Sequence, residues 1–197
     1  MAASPVPLRL ARAEEREAVF RLRGDEVVAR GWRQPHELAD GLEYDSYDAE
    51  ALHVVGVADG RLVATTRVVL PHPDRLLPTE ELFGLRIEPF GRVAEGGRLV
   101  IAREHRDPRL LTALFGVKWL ELRARGYRHY CGNATQAVLA RYDLLGFRSE
   151  VLGPPARVWG ELRVPARLDL TATAREVAAM LANLESSRAL AGESNAR

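Results

Sequence analysis

Arginine and aspartate side chains in the first half of the chain are spaced so that they can form a buried charged cluster. Arg67 lies within an apolar run rich in β-branched residues, and Arg98 lies at the start of another apolar run. An arginine in a central strand is costly to bury unless a carboxylate pairs with it. Asp45 and Asp48, in an acidic segment, are the predicted partners. The sequence therefore predicts an ion-pair network beside a cleft.

Cysteine and histidine content argues against metal and disulfide chemistry. Cys131 is the only cysteine, so neither an intrachain disulfide nor a multi-cysteine zinc site can form. The histidines His53, His105 and His129 have no metal-like spacing, and we predict no metal site. A single cysteine is typical of a reducing compartment, which favours the cytoplasm.

Composition indicates a globular protein with no general attraction to nucleic acid. The chain has 197 residues, a length that fits one domain, and 47% of them are hydrophobic. The net charge is +1, with Lys118 the only lysine among 28 basic residues. No apolar run is long enough to span a membrane, and the first nine residues lack the apolar core of a signal peptide.

The elements that must position the charged residues follow from turn signals and periodicity. Leu52–Ala58 and Arg61–Leu70 are β-rich runs joined by Asp59-Gly60, a pair typical of tight hairpin turns. Further predicted elements are helices over 13–30, 108–125, 133–145 (opened by an Asn133/Gln136 cap signature) and 173–190, strands over 97–102 and 127–132, two short strands within 147–170, and a long excursion over 71–94. A strand–helix–strand unit after a hairpin predicts an α/β fold with a mixed sheet between helices.

Two sets of residues carry a resemblance to known enzymes. The segment Tyr142-Asp-Leu-Leu-Gly-Phe resembles the Y-x-x-x-G-F ending of the penultimate helix in GNAT-superfamily acyltransferases. An ordered set resembles the acyl-homoserine-lactone synthases and their relatives, the long-chain N-acyl amino acid synthases: Arg23, Trp32, Gly41-x-Glu43-x-Asp45-x-x-Asp48, Thr66-Arg67, Glu95-x-x-Arg98-Leu99 and Leu152-Gly153-Pro154-Pro155. The resemblance covers about residues 18–170 and implies a GNAT-type mixed central β-sheet flanked by helices.

The resemblance also implies an activity. It predicts an acyltransferase domain over residues 13–170, between an irregular lead-in (1–12) and a C-terminal helix with a polar tail (171–197). This domain is expected to move an acyl group from acyl carrier protein or acyl-CoA to the amine of an amino acid-like acceptor, with no tightly bound cofactor. The alternatives are an acyl-homoserine-lactone synthase that uses S-adenosylmethionine, an ordinary acetyl-CoA-dependent GNAT enzyme, and a non-catalytic GNAT-fold binding module.

Roles for single residues come from the same resemblance. Glu95 is the implied base that takes the proton of the amine, and Tyr142 is the implied acid for the leaving thiolate. The residues implied to hold the amine substrate are Arg23, Trp32, Asp45, Asp48, Arg67 and Arg98. Structural roles are the alternatives: a solvent-exposed loop glutamate, a packed tyrosine, a purely structural ion network, a half-buried tryptophan and a surface arginine.

The segment after the predicted strand over 97–102 bears on the donor. Typical acetyl-CoA enzymes have a glycine-rich turn there, whose backbone N–H groups bind the pyrophosphate. Residues 103–108 of this chain, Arg-Glu-His-Arg-Asp-Pro, contain no glycine. We therefore predict a phosphopantetheine donor on an acidic carrier protein, met by Arg103, Arg106 and Arg109; solvent-exposed arginines without a partner are the alternative.

Overall fold

The computed structural model describes residues 6–144 and 146–171, which form one mixed sheet with helices on both faces. Its helices are α1 (Arg16–Ala29), α2 (Pro78–Phe83), α3 (Pro108–Ala124) and α4 (Gln136–Leu144). Its strands are β1 (Leu8–Leu10), β2 (Leu52–Ala58), β3 (Arg61–Val69), β4 (Val93–Ile101), β5 (His129–Ala134), β6 (Arg148–Val151), β7 (Ala156–Val158) and β8 (Glu161–Asp169). The predicted α/β fold with a mixed sheet is confirmed.

Strand order places β4 and β5 at the centre of the sheet. The order is β1-β2-β3-β4-β5-β8-β6, and β7 pairs with β8. The β2–β3 hairpin turns at Asp59 and Gly60, both with positive φ, as the Asp-Gly pair predicts. Strands β4 and β5 are parallel, whereas the other pairings in the sheet are antiparallel.

The central pair of strands separates partway along its length. β4 and β5 pair only at Val93–His129, Ala94–Tyr130 and Glu95–Cys131. Beyond that point β4 continues along β3, and β5 continues along β8. The facing edges after Glu95 and Cys131 therefore lack a strand partner, which leaves backbone polar groups free to bind a ligand. We call this region the split.

The two faces of the sheet bury different cores. On the face covered by α3 and α4, alternate strand residues such as Val54, Ala94 and Tyr130 pack with Leu114 and Phe115 of α3. On the face covered by α1 and α2, the apolar cluster is smaller and comprises Tyr47, Ala51, Val69, Leu77, Ile87, Val93 and Cys131. The helix predicted over 108–125 is present as α3 and is deeply packed, because most of its apolar side chains are buried.

Several predicted boundaries differ from the structure. The lead-in predicted as irregular contains β1, which pairs with the edge of β2, and α1 begins at Arg16 after a short 3₁₀ turn. The central strand begins at Val93 instead of residue 97, because β3 and β5 both pair with its first residues. The 71–94 excursion also contains α2.

Differences continue after the central strand. Asn133 belongs to β5, where β8 pairs with it, so it is not the cap of α4 as predicted. Three strands, not two, lie in the segment from 147 to 170. The helix predicted over 173–190 lies outside the described residues. Within the described ranges, no helix has the length and apolar character needed to cross a bilayer.

Candidate active site

Six charged side chains on the α1–α2 face form a closed ring in which arginines and carboxylates alternate. Arg23 on α1 is 1% exposed and pairs with Glu43 and Asp48, with its Nη1 2.7 Å from Asp48 Oδ1. Arg67 on β3 pairs with Asp48 at 3.0 Å and with Asp45 at 2.6 Å. Both contacts of Arg67 match the sequence prediction.

Arg98 on β4 closes this ring. Its Nε donates to Glu43 Oε1 at 2.8 Å, and its Nη2 donates to Asp45 Oδ2 at 2.9 Å. Each carboxylate therefore binds two arginines and each arginine binds two carboxylates, so three positive charges balance three negative charges. Burial alone acts to raise the pKa of Asp48, but hydrogen bonds and charge from Arg23 and Arg67 lower it to about 2.

Two members of the ring, Arg23 and Glu43, differ from what the sequence predicted. Arg23 was expected to line the substrate cleft, or else to lie on the surface; instead it is buried as the innermost arginine of the ring. Glu43 was not among the expected site residues, although it belongs to the Gly41-x-Glu43-x-Asp45 pattern and bridges Arg23 and Arg98. Only Asp45 and Arg98 keep substantial exposure, 29% and 25% of their side chains.

Glu95 lies on β4 at the last paired position before the split, rather than in a loop ahead of the strand. It is 4% exposed, and both carboxylate oxygens accept hydrogen bonds of 2.7 Å from Thr79, one from the backbone N–H and one from the hydroxyl. Burial raises the pKa of Glu95 to about 7, against the opposing effect of these hydrogen bonds. A carboxylate with this pKa can accept a proton near neutral pH.

A cleft of about 540 Å³ occupies the split and reaches both faces of the sheet. Its central walls are the free strand edges, including Gly96, Gly97, Gly132 and Asn133. Asn133 also donates to Thr79 Oγ1 at 3.3 Å, so the cleft connects to Glu95 through two side chains. Glu95 thus lies directly behind the cleft wall.

Aromatic and basic side chains border the cleft on the α1–α2 side. Trp32 lines it and stacks near Trp159, with ring centroids 5.5 Å apart. The guanidinium of Arg98 lies 4.5 Å from the Trp159 ring, and that of Arg163 lies 5.5 Å from the Trp32 ring. Trp159 and Arg163 were not predicted, because they lie far along the sequence from Trp32 and no local pattern links them.

On the α3–α4 side, the cleft is lined by apolar residues and a small polar chain. Lys118 on α3 is 2% exposed, and its Nζ donates to the Tyr130 hydroxyl at 2.9 Å. Tyr142 lines the same part of the cleft, with its ring 4.8 Å from Phe115. Burial raises the pKa of Tyr142 to about 12, an effect only partly offset by a hydrogen bond with Tyr130.

The three arginines predicted to meet the donor lie near one end of the cleft but differ in their contacts. Arg103 and Arg109 are exposed, and neither has an ion pair within residues 6–144 and 146–171. Arg106 lines the cleft and pairs with Glu26, a buried residue of α1. Asp107 caps α3 by accepting a hydrogen bond of 2.7 Å from Arg109 N.

The family model described as N-acyl amino acid synthase FeeM matches residues 18–168 of this chain. No curated protein sequence matches the chain. Among solved structures, the AHL synthase LasI is similar with a TM-score of 0.73 and 18% identity, covering 89% of this chain and 95% of LasI. FeeM, an N-acyl amino acid synthase from uncultured soil microbes, has a TM-score of 0.65 and 17% identity, covering 85% of this chain and 92% of FeeM.

A third solved structure is more similar in sequence. BjaI, a CoA-dependent acyl-homoserine lactone synthase whose structure contains SAM and isopentyl-CoA, is 26% identical with a TM-score of 0.67. The match covers 87% of this chain and 82% of BjaI. LasI and FeeM, at 18% and 17% identity, show the shared fold, and with the family model they confirm the predicted resemblance.

Proposed function

This chain belongs to the N-acyl amino acid synthase FeeM family, and on that premise we propose that it transfers an acyl group from a phosphopantetheine thioester to the amine of an amino acid-like acceptor. It is an N-acyltransferase, and its acyl donor is a thioester. What we propose is the identity of the acyl carrier and the class of the acceptor. The observation that carries the proposal is the cleft at the split, which joins a proton acceptor to an apolar compartment.

The proposed chemistry begins with the acceptor's ammonium group. Glu95 takes its proton through a water molecule, because the carboxylate lies behind Asn133 and Thr79 instead of in the cleft itself. The amine nitrogen then attacks the thioester carbonyl carbon, and free backbone N–H groups at the strand edges stabilise the oxyanion. The C–S bond breaks, and Tyr142 protonates the thiolate.

The two halves of the cleft suit the two substrates. The half beneath α3 and α4 contains Leu99, Leu111 and Leu139, which provide an apolar surface for an acyl chain. The other half presents Trp32 and the guanidinium of Arg163, which can bind the carboxylate of an amino acid. In the ring, Asp45 and Arg98 are exposed enough to contact the acceptor, while the buried members hold them in place.

The start of α3 supports a carrier protein over free CoA. Pro108 has no N–H group, and the Asp107 carboxylate already occupies the N–H of Arg109. A negative side chain at this helix end competes with a pyrophosphate, whereas the exposed Arg103 and Arg109 suit an acidic carrier protein. Such carriers act in the cytoplasm, where we expect this enzyme.

Acyl-homoserine-lactone synthesis is the second candidate function. The observation that favours it is the 26% identity to BjaI, whose structure contains SAM. Both activities acylate an amine, but only a lactone synthase follows acylation with ring closure of the acceptor. The products therefore separate the two candidates.

The test is to incubate the purified protein with matched donors and acceptors and identify the products by mass spectrometry. The donors are a long-chain acyl carrier protein, the same chain on CoA, and acetyl-CoA; the acceptors are the twenty amino acids as a mixture, or S-adenosylmethionine. We expect N-acyl amino acids, formed fastest from the carrier protein. Acylated homoserine lactone as the main product, or efficient use of acetyl-CoA with no gain from a long chain, would overturn the proposal.

A further inference from the structure

Lys118 is a buried cation that lies outside the charged ring and has no role in the acyl-transfer steps proposed above. It is the only lysine in the chain and lies at the middle of α3, facing the cleft at 2% exposure. No carboxylate within the described ranges, 6–144 and 146–171, forms an ion pair with it. A buried ammonium group without a counterion is costly, and an apolar residue would pack there at lower cost.

The contacts of Lys118 lead from α3 to the split. Its Nζ lies 2.9 Å from the Tyr130 hydroxyl. The same atom lies 5.3 Å from the centroid of the Phe115 ring and 5.0 Å from that of the Tyr130 ring. The Tyr130 hydroxyl lies so close to Gly96 that any Cβ at that position would overlap it. A glycine at position 96 therefore lets this hydroxyl reach the β4 edge where the two strands separate.

We propose that Lys118 supplies, through Tyr130, the proton with which Tyr142 neutralises the leaving thiolate. This inference rests on the proposed function. As the C–S bond breaks, its electron pair goes to sulfur and the Tyr142 hydroxyl proton follows. Tyr130 then protonates the Tyr142 oxygen, and Lys118 protonates the Tyr130 oxygen and becomes a neutral amine. Solvent restores the proton to Lys118, while the proton that Glu95 took from the acceptor leaves to solvent.

The acidities of the three groups agree with this order. Burial lowers the pKa of Lys118 to about 7, below the value of about 8.5 that is typical of a thiol, so a proton moves downhill from the ammonium to the thiolate. Burial raises the pKa of Tyr142 to about 12 and that of Tyr130 well above its usual value. Neither tyrosine is therefore a good source of the proton, but each can pass one on without remaining ionised.

Among the described residues, no neighbouring charge shifts the pKa of Lys118, which burial alone lowers. Tyr130 of β5 and Tyr142 of α4 are the titratable groups of the elements that face it in this part of the cleft. Glu95 and Cys131 point to the opposite face of the sheet, and their charges act on Tyr130 in the direction that raises its pKa. Lys118 therefore titrates beside the apolar residues that line this part of the cleft.

The experiment compares Lys118→Met with the parent on two donors that carry the same acyl chain. One donor is a pantetheine thioester, and the other is an aryl thioester whose thiol is acidic enough to leave without a proton. We expect kcat on the pantetheine thioester to fall about 10²-fold, the lower end of a typical general-acid contribution. On the aryl thioester we expect the rate of the variant to approach that of the parent. Tyr130→Phe should give the same pattern, because it interrupts the relay.

The pH profile gives a second readout. In the parent, kcat should fall above about pH 7 as Lys118 loses its proton, and in Lys118→Met this alkaline limb should disappear. Arg123→Met is the matched control, since it removes a cation from an exposed position on the same helix. Melting temperatures establish that each variant is folded.

Three results would overturn the relay. Equal losses on both donors would show that Lys118 only supports the structure, and unchanged rates on both would remove it from the reaction. Retention of the alkaline limb in Lys118→Met would assign that limb to another group. Failure of the parent to acylate any amine from either donor is a different result, because it would overturn the proposed function itself.

Discussion

The two faces of the central sheet differ in the partners that they provide for buried charges. On the α1–α2 face, three arginines and three carboxylates share their hydrogen bonds in a closed ring, so each charge has two partners. On the α3–α4 face, Lys118 has a tyrosine hydroxyl and two aromatic rings for partners. Among the described residues, the same sheet thus buries a fully paired network on one face and, on the other, an ammonium group that has no carboxylate partner.

This difference separates groups that fix geometry from groups that can exchange protons. Pairing stabilises the charged forms in the ring, which is why the pKa of Asp48 falls to about 2 and its carboxylate stays ionised at neutral pH. Burial without a counterion destabilises the charged form, so the pKa values of Glu95 and Lys118 both move to about 7. Proton transfer at neutral pH is therefore assigned to the unpaired groups and positioning to the ring.

The largest expected effect comes from Glu95→Gln. The amide can keep the contacts with Thr79 but cannot accept a proton, so kcat should fall about 10²–10⁴-fold while the melting temperature changes little. In the parent, kcat/KM should rise with pH through about 7 as Glu95 ionises, and the variant should lose that rise. Glu104→Gln, an exposed change of the same kind, is the control. Unchanged turnover by folded Glu95→Gln would remove this residue from the mechanism.

Arg67→Ala tests the contribution of the paired charges in the ring to stability. Removing one arginine leaves Asp45 and Asp48 short of a partner inside the protein, which should cost about 3–5 kcal/mol of unfolding free energy. Asp48→Ala should act similarly, since it leaves Arg23 and Arg67 with one carboxylate each. Denaturant unfolding measures both variants.

The control for the ring is an exposed ion pair of the same chemistry. Arg21→Ala removes the pair with Glu17, whose side chains are 50% and 71% exposed, and should cost only about 0.3–0.5 kcal/mol. A loss in Arg67→Ala no larger than that in Arg21→Ala would show that the ring contributes no more than surface charge does.

Sequence patterns predicted the parts of this arrangement that depend on local chemistry. Asp59-Gly60 fixed the hairpin, and the cost of burying an arginine in a strand was sufficient to pair Arg67 with Asp45 and Asp48. The hairpin and this pairing follow from short segments whose physical constraints do not depend on the rest of the fold. Glu95, in contrast, was expected just ahead of the central strand, whereas it lies within β4 and is buried against Thr79.

Other parts depend on how distant segments meet. Ring closure through Glu43 requires β4 to bulge at Arg98, where φ is positive, and no sequence signal specifies that bulge. Lys118 stood out as the only lysine, but its apolar neighbours in α3 gave no indication that a hydroxyl of β5 lies within reach. Such contacts become visible only when the sheet register and the helix rotation are both known.

Lys118→Met should also change stability, in the direction opposite to Arg67→Ala. The lowered pKa means that the folded protein binds this proton less tightly than the unfolded chain, so the cost is full below about pH 7 and disappears above about 10.5. Methionine should therefore stabilise the protein by about 1–4 kcal/mol at pH 7. The gain measured by denaturant unfolding should shrink as pH rises from 7 to 9.5. A gain that does not vary with pH would show that packing, not charge, explains it.

The smallest expected effects concern the exposed arginines near the start of α3, which extend the comparison to the surface. Arg103→Ala and Arg109→Ala each remove a solvated charge, worth about 0.2–1 kcal/mol, so each should raise KM for an acyl carrier protein about 1.5- to 5-fold. High salt should abolish this difference, because it screens attraction between exposed charges. KM for acyl-CoA, which brings no acidic protein surface, should change less.

Arg106→Ala provides the contrast within the same segment: it leaves the buried Glu26 with one arginine partner fewer, so it should lower stability as well. Equal KM values for parent and variants at low salt would show that the carrier binds elsewhere on the protein. A loss of stability in Arg103→Ala as large as that in Arg106→Ala would show that the exposure of an arginine does not determine its contribution to stability.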